Sequence, residues 1–148
     1  MRLSVSMQKT YEEIAQVCAC FHLRRASRCV TGLYDRSLKA EGLTSSQFVL
    51  LLVLILSKDS KMTETAEVLG MDRTSLTRLI RPLVKRNLVT TKAVNDRRAK
   101  ILSLTPKGKS ALHRAIPLWK SAQSNFDEVF GREEWLKMVK KLNKVYKL

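Results

Sequence analysis

Apolar residues return every three or four positions along much of this chain, the spacing of helices that bury one face. From Tyr11 to about Lys39, Ile14, Val17, Cys18 and Phe21 mark one face, and Leu23, Ala26, Val30, Leu33 and Tyr34 another. With no proline and a single glycine, Gly32, the segment predicts one long helix sandwiched between neighbours and ended by Gly42. In "TSSQ", Thr44 to Gln47, a hydroxyl can cap the third helical amide while the Gln side chain reaches back. That helix carries "FVLLLVLIL", Phe48 to Leu56, and predicts burial. "SKDSK" predicts a polar turn, Thr63 the cap of the short helix "ETAEVL", and Gly70 its left-handed end. Asp72 caps the following helix, with Met71 as a staple, so two short helices joined by "GMDR" form a helix-turn-helix candidate.

Beyond Asn87 the period falls to two. "LVTTKAV" and "AKILSLT" alternate around "NDRR" and predict a hairpin with a charged tip. Thr105 then caps a new helix with Pro106 in its first position, where the missing N–H costs nothing. Leu112, Ala115, Ile116, Trp119, Ala122, Phe126 and Val129 form one stripe; after Gly131, Trp135, Met138, Val139, Leu142 and Val145 form another. Both ends of the chain thus present more apolar face than a 148-residue monomer covers, which predicts a homodimer interface.

Charge changes the picture from fold to partner. The chain holds 28 basic and 13 acidic side chains, a net +15, and residues 72–109 alone carry eleven basic and two acidic groups. Solvated surfaces mix both signs; a one-signed segment seeks a polyanion, and nucleic acid is the commonest in a cell. On a helical wheel of the segment after Asp72, Leu76, Ile80 and Leu83 point one way, and Thr74, Thr77, Arg78, Arg81 and Lys85 lie roughly opposite. That polar face suits a major groove. Arginine bridges guanine O6 and N7 with a fork, and threonine meets a thymine methyl or a base edge. The first-turn amides at Arg73 to Ser75 are placed to grip phosphate, and Arg73 points nearer the protein, as a phosphate ligand. Pro82, about ten residues in, frees the Arg78 carbonyl and predicts a bend past the base-facing turns. At the hairpin tip Arg97 and Arg98 are placed for a minor groove, and Lys92 and Lys100 for phosphates.

Other classes are disfavoured. The nine-residue apolar run is about half of a bilayer span, and no apolar block follows Arg2, so neither a membrane segment nor a secretory signal is expected; the predicted location is the cytoplasm. His22 and His113 stand alone, and there is no glycine-rich phosphate loop or paired-histidine metal motif. An enzyme, a metal site and a cofactor are not expected.

"LGMDRTSLTRLIRPLVKRNLV" with "DRRAKILSLTPKG" resembles the MarR family of winged helix-turn-helix transcription regulators, over nearly the whole chain. Asp96, Arg98, Leu104 and Thr105 reproduce the family's wing and its exit; Thr65 departs from it, standing where leucine is usual. The resemblance implies a mainly α protein with a small β-hairpin wing, a single domain over residues 1–148. A winged helix-turn-helix DNA-binding lobe at 44–105 would be flanked by dimerisation helices at 10–40 and 106–148. It implies a homodimeric repressor on a pseudo-palindromic double-stranded operator, released by a small-molecule effector, with the Arg98 equivalent in the minor groove oriented by the Asp96 equivalent. A sequence-indifferent basic nucleic-acid-binding protein is the alternative that charge alone would allow.

"CFHLRRASRCVTGLYDRSL", Cys20 to Leu38, also aligns without gaps with the hydroperoxide-sensing branch of that family. There a thiol at the position of Cys20 is oxidised and a tyrosine matching Tyr34 holds it across the dimer. Arg24 here replaces a second tyrosine of that site, and a cation one turn away favours thiolate. The implied alternative is an oxidant-sensing regulator of the same fold; the other reading of Cys20 is a small buried core residue. Cys18 and Cys29 share a helix face but lie roughly 16 Å apart by helical rise, too far for a disulfide.

Overall fold

The structure is a computed structural model that describes residues 5–93 and 100–146, and the chain divides into two compact units, Met1–Leu33 and Tyr34–Leu148. The first unit is helical. α1 spans Val5–Val17, and α2, Ala19–Leu38, begins here and ends in the second unit. The predicted long helix therefore starts earlier than Tyr11 and is interrupted at Cys18, with no glycine or proline to announce it. Around the break the Cys18 amide donates to the Ile14 carbonyl (3.0 Å), the His22 amide donates to the Cys18 carbonyl (3.1 Å), and His22 Nε2 lies 2.9 Å from the Gln16 carbonyl. The His22 ring, expected to be a plain helix-face group, thus serves the backbone where the helix is broken. Met7, Tyr11, Ile14 and Phe21 are exposed and Cys18 is half-buried, a stripe with alternating spacings of four and three.

In the second unit, α2 runs into a 3₁₀ turn, Lys39–Glu41, before α3 (Ser45–Ser57), β1 (Asp59–Lys61), α4 (Met62–Val68), α5 (Arg73–Lys85), β2 (Val89–Ala93), β3 (Lys100–Leu104), α6 (Pro106–Phe130) and α7 (Arg132–Val145). The capping box at Thr44 forms as predicted: its hydroxyl accepts from the Gln47 amide at 3.2 Å, and Gln47 Oε1 accepts from the Thr44 amide at 3.1 Å. α3 buries Phe48, Leu50, Leu51 and Leu54 but leaves Val49, Leu52 and Leu56 exposed, so its burial is one-sided rather than complete. Around it lie Leu76, Ile80 and Leu83 of α5, Leu102 of β3, and Ala111, Leu112 and Ala115 of α6, in one core. Of the predicted α6 stripe, Ile116 and Val129 face outward. No single helix among the described residues is long and apolar enough to cross a membrane.

The sheet differs from a bare hairpin. β3 pairs with β2 (Val89 opposite Leu104, Ala93 opposite Lys100) and, on its other edge, with β1 (Asp59 opposite Ser103, Lys61 opposite Ile101), giving the order β1-β3-β2, all antiparallel. The expected polar turn at 57–61 is therefore a third strand. Ser60, buried in it, accepts a hydrogen bond from the fully buried Thr65 hydroxyl at 3.0 Å, with the Lys61 carbonyl 3.1 Å from the same oxygen. This pairing accounts for a hydroxyl at position 65: it ties α4 to β1. It also displaces the expected cap. Lys61, not Thr63, precedes α4, and Glu64 Oε2 accepts from the Lys61 amide at 3.2 Å.

Candidate nucleic-acid interface

The two helices of the turn motif are set by local chemistry. α4 ends with the Met71 amide donating back to the Ala66 carbonyl (2.9 Å) over Gly70, whose φ of 61° is the left-handed conformation expected of it. Asp72 then caps α5: its Oδ1 accepts from the Thr74 amide at 2.8 Å and the Ser75 amide at 2.9 Å, and its Oδ2 from the Ser75 hydroxyl at 2.6 Å. The Ser75 hydroxyl first, then its amide and that of Thr74, hold the Asp72 carboxyl below the usual range. The expectation that first-turn amides are open to phosphate is thus corrected at two positions, because the Thr74 and Ser75 amides already have an acceptor.

Beyond the cap, α5 is two-sided. Leu76 and Leu83 are fully buried and Ile80 nearly so, whereas Arg73, Thr74, Ser75, Thr77, Arg78, Arg81 and Lys85 are exposed. The Thr77 hydroxyl donates to the Arg73 carbonyl at 2.7 Å, one turn back along the helix. α5 continues past Pro82 to Lys85. Arg78, whose carbonyl loses its helical N–H to the proline, is exposed, so water can serve that oxygen. From Thr74 to Lys85 the polar face runs about 16 Å along the axis, enough to follow a major groove about 12 Å wide.

Arg86, the next basic residue, was not distinguished by sequence reasoning and does something else. Its guanidinium turns back to the protein, donating to the Gly42 carbonyl at 2.5 Å and the Glu41 carbonyl at 3.0 Å. Only a contact forty-four positions away separates it from its neighbours, and no local pattern announces such a contact.

The hairpin leaves α5 through Asn87, at φ 57°, and is locked to α6. The buried Thr105 caps α6 by accepting from the Gly108 amide at 2.9 Å; its hydroxyl donates to the Asn87 carbonyl at 2.8 Å, and its own amide donates to the Leu88 carbonyl at 3.1 Å. A Cβ on Gly108 would stand 2.1 Å from the Leu88 oxygen, so this close approach requires glycine. Lys92 on β2 and Lys100 on β3 are exposed. Asp96, Arg97 and Arg98 lie outside the described residues.

The three candidate redox residues fall in different units. Cys20 and Arg24 are exposed in the first, where Cys18 and Cys29 are free as well. Exposure of Cys20 does not fit the alternative of a buried core thiol. Tyr34 is half-buried in the second unit, tilted 41° against Trp119, and its hydroxyl donates to Gln123 Oε1 at 2.5 Å. Gln123 in turn donates to Asp127 (2.8 Å), which pairs with Arg132 (3.2 Å). Burial, and secondly the Asp127 charge, push the Tyr34 hydroxyl above its ordinary range. Tyr34 therefore already serves an α2–α6 contact within its own chain.

Comparison with known proteins bears on the same surface. The sequence pattern of the MarR family matches residues 41–99, which include both helices of the turn motif. An HTH-type transcriptional regulator of Bacillus cereus is 32% identical over 111 residues, 74% of each chain. The transcriptional repressor MprA of Escherichia coli is 31% identical over 110 residues, 72% of this chain and 61% of its own. The transcriptional regulator MosR of M. tuberculosis, solved in complex with DNA, has a similar structure, with a TM-score of 0.79 and 37% identity over 88% of this chain and 94% of its own.

Proposed function

Because this chain belongs to the MarR family, we propose that it is a repressor that binds a pseudo-palindromic double-stranded operator as a homodimer in the cytoplasm and is released by a small-molecule effector. One observation carries the DNA-binding part: the division of α5 into a buried Leu76–Ile80–Leu83 side and an exposed side bearing Thr74, Thr77, Arg78, Arg81 and Lys85, beside the hairpin. Two such helices related by a two-fold axis would enter successive major grooves, with the hairpin tips, Arg97 and Arg98 at their ends, over the flanking minor grooves. The exposed stripe Met7, Tyr11, Ile14 and Phe21 supports a second copy as partner, since its four-three spacing is that of helices that pack along a seam.

The test begins with duplexes selected from a random pool. Arg78→Ala and Arg81→Ala should each weaken binding to the selected sequence at least about fivefold in a gel-shift assay, the loss expected when a fork to a base, worth about 1–3 kcal/mol of discrimination, is removed. Unchanged affinity and sequence preference in both variants rejects α5 as the reader. Titration at two salt concentrations separates this function from sequence-indifferent binding, because a regulator keeps its specificity ratio once the phosphate contribution is screened.

A thiol switch is the second reading, favoured by one observation, the exposure of Cys20 beside the exposed Arg24 on the same helix. It requires Tyr34 to exchange Gln123 for an oxidised thiol of the other subunit. Peroxide should then release DNA from the wild type and not from Cys20→Ser; equal release from both rejects it.

A further inference from the structure

Arg86 sits one residue past the end of α5, in the most basic part of the chain, yet its guanidinium is spent on two carbonyls of its own protein. Its two terminal nitrogens take consecutive acceptors, Glu41 and Gly42, in the turn that follows α2. The planar fork of arginine presents its two terminal nitrogens in a fixed geometry that suits two such neighbouring acceptors, where the three donors of a lysine ammonium radiate from one atom. The same turn is held from a second side. The Glu41 carboxylate takes Arg114 Nε of α6 through both oxygens, at 3.0 and 3.1 Å. It is held from a third as well, because Asp35 of α2 accepts the Ser45 amide at the start of α3, at 2.6 Å. Residues 39–45 are thus a joint at which the ends of α2 and α3, the exit of α5 and the flank of α6 are fastened by charged groups.

We infer that Arg86 and Glu41 are positioning residues that set the pitch of α5 relative to α6, and through it the separation of DNA half-sites a pair of subunits accepts. This inference rests on the homodimeric operator-binding reading above. The lever arm gives the magnitude. α5 is thirteen residues long, about 20 Å, so a 5° tilt about its bracketed end moves the opposite, base-facing end by about 1.7 Å. With the matching shift of a symmetry-related copy the separation changes by about 3.4 Å, one base-pair step. The bracket therefore acts at the scale on which half-site spacing is read.

The experiment uses the full chain and a duplex series built from its selected sequence, with the half-site separation lengthened or shortened by one base pair. Arg86→Met keeps the aliphatic stem and removes the fork; Arg114→Gln, at a side chain that is 60% exposed, removes only the α6 arm. Each should reduce the preference for the best spacing over its neighbours at least threefold. The slope of log affinity against log salt should stay as in the wild type, because no phosphate contact has been lost. Thermal melting reports folding independently, and if Arg86→Met does not fold, Arg114→Gln decides. Folded variants that keep the wild-type spacing preference overturn the inference, as does a salt slope that falls by about one in Arg86→Met, the mark of a phosphate ligand. A wild type that selects no paired half-sites refutes the operator-binding reading and the bracket with it; paired half-sites with unaltered variants refute the bracket alone.

Discussion

Gly108→Ala distinguishes local propensity from tertiary geometry, because the two predict opposite signs. Gly108 is in the first turn of α6, where a gain of up to about 1 kcal/mol in helix preference would stabilise the chain. The new methyl carbon, however, would lie 2.1 Å from the Leu88 carbonyl oxygen and 2.7 Å from Leu104 Cδ1. The leucine methyl can rotate away; the carbonyl is backbone, held by the Thr105 amide at 3.1 Å. An ordinary carbon–oxygen contact is about 3.3 Å, so more than 1 Å must be found by moving the start of α6. Overpacking of this kind costs about 1–3 kcal/mol, and loosening the Thr105 hydrogen bonds to Asn87 and Leu88 adds about 1 kcal/mol. After the propensity gain, the expected loss is about 2 kcal/mol, or a melting midpoint lowered by roughly 4–8 °C for a chain of this length. Calorimetry or circular dichroism at one fixed protein concentration measures it, since self-association would otherwise shift the midpoint. A variant that melts at or above the wild-type temperature would refute the close approach of α6 to the exit of α5.

Three further outcomes follow from contacts already described. Thr65→Val keeps the shape but leaves the buried Ser60 hydroxyl without its donor, and should cost about 1–2 kcal/mol in denaturant unfolding; adding Ser60→Ala should recover most of that loss, and an additive double variant would refute the coupling. Tyr34→Phe removes the donor to Gln123 and should lower stability by about 1 kcal/mol with no effect on DNA affinity, whereas a loss confined to DNA release by peroxide would assign Tyr34 to the thiol switch instead. Since the Asp72 carboxyl is held below its usual range, its cap is fully present above that range and is lost only as pH falls through the depressed value. Exchange protection of the Thr74 and Ser75 amides should therefore fade at a lower pH than that of an ordinary carboxylate near 4, and the fade should vanish in Asp72→Asn.

Features legible in the sequence were those whose cause is local. Thr44 with Gln47, Gly70, Asp72 and Thr105 each perform the capping role their neighbours imply, and the three- and four-residue spacing of Leu76, Ile80 and Leu83 is enough to orient α5. What escaped was decided by distant partners. "DSK" is too short and polar to read as a strand, and becomes one only because β3 offers a free edge for Asp59 to Lys61. Arg86 resembles the arginines before it until Glu41 and Gly42 are folded against it. The break at Cys18 has no glycine or proline to betray it, and the cap at Asp72, plain in the sequence, does not itself say that one carboxylate occupies both the Thr74 and the Ser75 amides.

The third strand has a consequence for how this surface can change over time. β3 is gripped on both edges, by β2 and by β1, and β1 is tied through Ser60 and Thr65 to the first helix of the turn motif. The described strands of the hairpin, Val89–Ala93 and Lys100–Leu104, are thus fastened to the helices of the turn motif. Substitutions in the sequence between Ala93 and Lys100 are therefore expected to leave α5 in place. The orientation of the helix and the sequence between the two strands can thus change separately, one without unseating the other.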